Sequence, residues 1–480
     1  MVRNALSIGE FSQPEMNRPD QTAHPTLLDY YRMPGDRLTC TTTADCASGG
    51  IGFFQFGINN ICYGRSQSGV AADVAGSGQF DALRDVRREG TTIRLPFDFN
   101  EVVENLRLER YRQKIAPGRE ILATSEPVRK IYYLLRDCFP VSFRRHLQKA
   151  YFRDWEKLPF PAWPVDCTVD NLHKEFLHLL LETSSVKKMP FIWFWPEGAS
   201  NCLMMTHDVE TSVGRDFTSK LMDLDESYGI RASFQVIPEK RYAVSNDYVS
   251  EIRSRGFEFN VHDLNHDGRL YRERSEFLRR AAKINGYLRQ YNARGFRSGA
   301  MYRNQEWYDA FEFSYDMSVP NVAHLEPMRG GCCTVMPYFI GNIVELPLTT
   351  AQDYSLLHIL NDHSIDLWKQ QLALLKGSNG LMSFIVHPDY QIERHARNIY
   401  ESLLAYLQDM IGREKIWFAL PGEVDRWWRA RSQMRVESRG NNWEIVGPGK
   451  ERARLAFAVL DGDRVKYELA EPSSGNNAAG

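Results

Sequence analysis

The sequence predicts an α/β protein: a parallel sheet, open or closed into a barrel, with an α+β region before it and a small β appendage after it. Three observations lead there. From residue 203 onward strand-like and helix-like runs alternate in series, the pattern of a parallel sheet with crossover helices. Asp208, His262, Arg297 and His387 each follow a strand-like run, and chemistry collects at the carboxyl ends of strands in such folds. The length, 480 residues, is enough for two or three modules.

Residues 1–25 are dominated by Ser, Gln, Asn, Pro and Asp, which predicts a disordered start. Residues 26–195 read as an α+β region. To about residue 99 its pattern is short and strand-like, most apolar at Phe53, Phe54 and Phe56, with Gly49, Gly50 and Gly64 as punctuation; residues 66–79 read as a loop. Val102, Val103, Leu106, Leu108 and Tyr111 then recur near helical spacing. In the run 131–155, Arg136, Arg144, Arg145 and Arg153 sit among aromatics. The chain as a whole is not basic, so a helical surface is expected there, not a nucleic-acid site. Pro159, Pro161 and Pro164 mark a stiff connector, a helix follows over about 169–181, and the aromatics of 190–196 lead, as packing residues, into the next strand.

Residues 196–430 carry the alternation. Strands are expected at 203–206, 232–237, 257–261, 343–347, 381–386 and 416–420. Helices are expected over 215–228 with Gly229 as C-cap, from the capping candidate Asn246 to before Gly256, over 273–291, and at 305–312, 355–375 and 391–410. Residues 431–470 alternate around Gly-containing turns and read as the β appendage; 471–480 read as a disordered tail.

The composition, 43% hydrophobic and 25% charged, is that of an ordinary globular protein, and the net charge of −2 offers no field for nucleic acid and no polybasic anchor for lipid. Cys40, Cys46, Cys62, Cys138, Cys167, Cys202, Cys332 and Cys333 form no CxxC pair, so a zinc ribbon is unsupported and free thiols are expected. The polar first 25 residues lack a secretory pattern, and no apolar run approaches the roughly 18 residues needed to cross a bilayer; the expected setting is cytoplasmic.

The anchor of the reading is the stretch 203–210, Leu-Met-Met-Thr-His-Asp-Val-Glu. Side chains alternate along a strand, so Asp208 and Glu210 share one face while His207 and Val209 take the other. Buried carboxylates are costly unless paired or bound to a cation. His262 and His266 supply candidate ligands: four residues apart, they would share one side of a helical turn. Alone the pair is better explained as structural; joined to an Asp-x-Glu strand end it makes two His and a carboxylate with an open fourth position, a catalytic zinc arrangement that cobalt, manganese or nickel could also occupy. His387, closing the apolar run 381–386, is placed for proton transfer, with Asp389 either orienting it or sitting in a turn. Arg297, between small residues, is an ordinary surface charge or the partner that keeps a carboxylate ionised.

The order Thr-x-Asp at 206–208, His-x-x-x-His at 262–266, Gly-Phe-Arg at 295–297 and a late strand ending in His387 resembles the polysaccharide deacetylases, carbohydrate esterase family four, or NodB homology domain. The runs 229–234, 256–258, 315–318 and 416–428 resemble further motifs of that family, so the likeness spans about 196–430. The resemblance implies a distorted (β/α) barrel, one divalent metal ion, usually zinc, and removal of N-acetyl, sometimes O-acetyl, groups from a glycan. It implies metal ligation by His262 and His266, Asp208 as general base, Arg297 steadying it, and His387 as general acid. Two departures stand out. The family's second Asp, a metal ligand, falls on Val209, for which Glu210 is the candidate replacement; the converse has Asp208 on the metal and Glu210 as base. Ser298 stands where a Pro commonly follows the Arg.

The expected function is therefore metal-dependent deacetylation of a polysaccharide or oligosaccharide precursor in exopolysaccharide or cell-envelope metabolism. The rivals are an amidohydrolase of similar fold acting on a small cyclic amide, which predicts a narrow closed pocket, and a catalytically silent sugar-binding or scaffold protein, which Val209 favours and Arg297 and His387 oppose.

Overall fold

A computed structural model describes residues 25–34, 50–76, 78–115, 152, 154–184, 186–440 and 442–470. The calls on residues 1–24, on 471–480, on Cys40, Cys46 and Cys138, and on Arg136, Arg144, Arg145 and Arg153 lie outside the described residues.

The chain is mixed α/β, organised on a nine-stranded sheet curled into a half-barrel. Its strands in chain order are β1 (Asn201–Val209), β2 (Ala232–Val236), β3 (Glu258–His262), β4 (Gly295–Arg297), β5 (Tyr315–Asp316), β6 (Tyr338–Ile340), β7 (Ile343–Glu345), β8 (Leu381–Ile385) and β9 (Ile416–Phe418). The spatial order is β6-β7-β5-β4-β3-β2-β1-β8, with β9 also pairing to β1. All pairings are parallel except β6 with β7. Long β1 is the hub. It pairs β9 through Asn201–Leu203, β8 through Cys202–Thr206 and β2 through Met205–Val209.

The period-two pattern of β1 decides which face receives the acids. Leu203, Met205 and Val209 pack into one hydrophobic core with Phe234, Phe259, Leu372 and Leu403. Cys202 and Met204 pack into a second core with Phe53, Phe176, Trp193 and Trp428. Asp208 and Glu210 continue the second register, on the face opposite Leu203, Met205 and Val209.

The crossover helices sit close to their expected places, with instructive shifts. Helix Ser212–Ser227 is capped by Thr211, and Gly229 adopts the left-handed conformation (φ 69°) just past its end. The next helix is capped by the side chain of Ser245, not Asn246, because the Ser245 hydroxyl accepts from the Tyr248 N–H. Glu273 caps Arg274–Tyr291. The run expected as one helix over 355–375 is split into a π-helical turn, Ser355–Leu360, and a helix, Asp366–Gly377, because Asn361 turns left-handed (φ 56°) between them. Gln305–Ala310 is a 3₁₀ turn, and the last crossover is Arg394–Arg413.

The flanking regions share a core with the sheet. Strand Lys188–Ile192 pairs antiparallel with Leu455–Asp461, which also pairs with Arg464–Leu469, so residues on either side of the half-barrel in sequence build one small sheet. Trp193, Phe194 and Trp195 are buried there, as packing residues. A buried forked ion pair joins Glu109, just past helix Phe99–Arg107, to Arg303 in the loop after β4; the same carboxylate accepts from the Gly331 N–H at 2.6 Å. Asn321, in the loop after β5, exchanges hydrogen bonds with the backbone of Asp166. No helix among the described residues is long and apolar enough to cross a membrane.

Candidate metal centre and proton-transfer groups

The carboxyl ends of β1, β3, β4 and β8 converge. Asp208 is 2% exposed at the end of β1. Arg297, ending β4, is fully buried and is not the surface charge its sequence context also allowed. Its Nη1 donates to Asp208 Oδ1 at 2.7 Å and to Thr206 Oγ1 at 2.8 Å, and its Nε donates to the Met317 carbonyl at 3.0 Å. Thr206 Oγ1 in turn donates to the Phe384 carbonyl of β8 at 2.5 Å. Burial opposes ionisation of Asp208, but the Arg297 guanidinium, helped by His262 and His387, holds its carboxyl below the usual carboxylate range.

His262 ends β3. Its Nδ1 lies 3.1 Å from the Arg297 carbonyl, which can only accept, so Nδ1 carries the proton and Nε2 is left with a free lone pair. That Nε2 is buried without a hydrogen-bond partner. Burial, the largest influence, lowers the His262 pKa and favours the neutral ring a metal needs.

His266 reaches the same place by a different route from the expected helical turn. The chain after β3 is a loop in which Asp263 (φ 54°) and His266 (φ 53°) both adopt the left-handed conformation. That backbone is uncommon for residues other than glycine and clusters at functional sites. The Asp263 N–H is held by the Arg297 carbonyl at 2.8 Å, and Arg241 donates to the carbonyls of Asn265 (3.3 Å) and His266 (2.8 Å). The two imidazoles meet with centroids 4.9 Å apart at 61°. Gly299 makes room for them: a Cβ there would stand 2.6 Å from Asp263 Oδ2 and 3.0 Å from His266 Cδ2.

Glu210 completes the group. Its Oε1 is 3.0 Å from His266 Nε2, an ion-pair distance that lacks hydrogen-bond alignment, so His266 Nε2 is also a buried atom with no hydrogen-bond partner. Partial desolvation opposes ionisation of Glu210, but His266, then His387 and His262, hold it well below the usual carboxylate range. One donor atom each from Glu210, His262 and His266 lie within 4.8 Å of one another, the only such group among the described residues. Two orphaned imidazole nitrogens and a carboxylate fit a divalent ion of the zinc, cobalt, manganese or nickel kind. Val209 is buried on the opposite, helix-packed side and contributes nothing to the group.

His387 follows β8, with Nε2 3.8 Å from Glu210 Oε1. Its orienting partner is Asp353, not Asp389. Asp353 Oδ1 lies 2.6 Å from His387 Nδ1, while Oδ2 accepts from the His387 backbone N–H at 2.8 Å and from Gln391 Nε2 at 3.2 Å. Burial pulls the ring's pKa down, but Asp353 above all, then Glu210 and Asp208, push it up to about 10. Asp389 is occupied elsewhere, accepting from the Thr211 hydroxyl and from the Glu210 N–H at 3.3 Å. The one sequence signal for Asp353 was its place: an acid closely following the strand-like run 343–347.

No family model matches the chain, and no curated protein matches it. Solved structures do, and most of those are polysaccharide or peptidoglycan deacetylases. The chain is similar to a protein described as "putative polysaccharide deacetylase" from Mycobacterium smegmatis (17% identity, 52% of this chain and 98% of that one, TM-score 0.41). It is also similar to Puue allantoinase (12%, 49% and 92%, TM-score 0.40) and to the peptidoglycan deacetylase PdaC from Bacillus subtilis (12%, 49% and 94%, TM-score 0.32).

Proposed function

We propose that the chain is a divalent-metal-dependent deacetylase that hydrolyses N-acetyl groups, with O-acetyl esters as the nearest variant, on a polysaccharide or oligosaccharide precursor of exopolysaccharide or envelope metabolism. The observation that carries this is the meeting, at the carboxyl ends of β1, β3, β4 and β8, of a three-donor set (Glu210, His262, His266), a carboxylate clamped by Arg297 (Asp208) and an imidazole clamped by Asp353 (His387).

A divalent ion in that set, zinc in this reading, would acidify a water and polarise the acetyl carbonyl. Asp208 acts as general base. Arg297 holds one of its oxygens, and the other, 3.8 Å from His262 Nε2, faces the centre and takes the proton of the attacking water. His387 is the general acid: with Asp353 favouring its charged form, it gives its Nε2 proton to the departing nitrogen, which then leaves as an amine with acetate as the other product. Asp353 fixes the ring and stabilises its charged form. The converse assignment of the two carboxylates is disfavoured because Arg297 engages Asp208, while Glu210 approaches His266 to 3.0 Å. Glu109 and Asp166 act, in this reading, as braces on the loops after β4 and β5.

Acetate release from N-acetylated oligosaccharides, with and without a chelator, tests the reading. Release that stops on chelation and returns with added zinc is expected. Absence of release from acetylated glycans, with turnover of a cyclic ureide instead, would establish the small-amide rival; no turnover of either would leave a silent binding protein.

A further inference from the structure

His207 lies between the motif Thr206 and the base Asp208, yet points the other way, into the helix-packed side of β1. It is fully buried, and both ring nitrogens are used. Nδ1 stands 2.9 Å from the carbonyl of Val386, and Nε2 stands 2.8 Å from Asp225 Oδ2. Asp225, on helix Ser212–Ser227, is itself held at its other oxygen by the Tyr400 hydroxyl (2.6 Å). A carbonyl can only accept, so His207 Nδ1 carries a proton and donates it.

The importance lies in which peptide is held. The β1–β8 ladder ends with the Val386 N–H on the Thr206 carbonyl at 3.0 Å. The next peptide unit, Val386–His387, has left the sheet. Its carbonyl is taken by the His207 imidazole and its N–H by Asp353 Oδ2. The two ends of one planar unit are thus clamped by two side chains from opposite directions. The orientation of that plane sets the direction of the His387 Cα–Cβ bond, and with it where the His387 ring lies relative to Glu210.

We propose that His207 is a positioning residue for His387: through the Val386 carbonyl it fixes the peptide plane from which the general acid projects, as Asp353 fixes it from the other side. The proposal rests on His387 being the proton donor, as read above. His207 touches neither substrate nor metal ligands in this role.

Two substitutions separate the positioning bond from the burial of the group. The amide of Asn reaches about where Nδ1 of His sits, and that of Gln about where Nε2 sits. His207→Asn therefore retains the donor to Val386 and loses Asp225; His207→Gln retains the partner of Asp225 and loses Val386. Both should lower the melting temperature. The expected result is that H207Q loses kcat on the order of 10²-fold more than H207N, as a displaced proton donor does, with KM and bound metal alike in the two. Equal kcat per folded, metal-loaded molecule in the pair would overturn the proposal. An imidazole ¹⁵N–¹H spectrum of full-length protein gives a readout free of turnover. The His387 Nδ1–H resonance should keep its wild-type position in H207N and shift in H207Q. If neither variant folds, the wild-type spectrum still decides: a protonated, slowly exchanging His207 Nδ1 is required, and an unprotonated one refutes the clamp. Were the wild type to release no acetate from any acetylated glycan, the functional reading would fail while the spectra still judged the positioning.

Discussion

Asp353 grips His387 twice: one carboxylate oxygen takes the ring Nδ1 at 2.6 Å and the other takes the backbone N–H at 2.8 Å. A side chain that holds both the ring and its own backbone fixes position and tautomer together. It also supplies the negative charge that pushes the ring's pKa up to about 10. Asp353→Asn retains the shape and removes that charge. Turnover should fall by roughly 10²–10⁴, the range for loss of a proton-transfer group, while metal content stays at the wild-type level. Steady-state rates beside metal analysis check this; an Asn variant with wild-type kcat would remove Asp353 from the mechanism.

His262→Ala deletes one of two buried nitrogens with no hydrogen-bond partner and leaves a two-donor remnant. Metal uptake should be lost, and with it the ligand-linked gain in stability that a bound ion confers. Metal content after dialysis, and the change in melting temperature on adding zinc, measure both. An H262A protein that retains stoichiometric metal would disprove the ligand set.

Gly299→Ala places a methyl 2.6 Å from Asp263 Oδ2 and 3.0 Å from the His266 ring. Gly299 is not left-handed, so the cost is collision, not backbone strain. The loop carrying His266 must give way, and metal affinity should weaken by about ten-fold or more, in the range of changes that misorient a ligand. Zinc titration with a competing chelator reads it; unchanged affinity would mean that the loop moves freely.

Glu326 provides a pH dependence away from the metal ligands. Its carboxyl is buried and accepts from Gln352 Nε2 at 2.7 Å, yet burial still pushes its pKa up from 4.5 to about 7. A pKa raised on folding means that the fold favours the protonated form. Its contribution is full below about pH 4.5 and is lost as pH rises through about 7. The displacement corresponds to about 3 kcal/mol at most. Glu326→Gln should match the wild type near pH 4 and exceed it at pH 8, as melting curves across that range would register. A difference independent of pH would show that Glu326 does not titrate as its burial dictates.

Local sequence settled those features that depend on periodicity. Alternation along 203–210 put Asp208 and Glu210 on one side and Val209 on the other, and the structure keeps that division because the pleat of a strand leaves no alternative. Strand ends followed by His262, Arg297 and His387 marked one edge of the sheet, and these side chains do come together there, because parallel strands all deliver their carboxyl ends to one edge. What tertiary structure alone decided were relationships between elements without a shared period. His262 and His266 meet through a left-handed loop braced by Arg241 and Gly299, not through a helical turn. His387 finds Asp353, 34 residues back in sequence, and not its neighbour Asp389, because Asp389 is drawn to Thr211. The strand at Lys188–Ile192 pairs with one at Leu455–Asp461, across the whole half-barrel in sequence. Hydrophobic spacing fixes which way a side chain faces; the curl and closure of the sheet, set by long-range packing, fix what it faces.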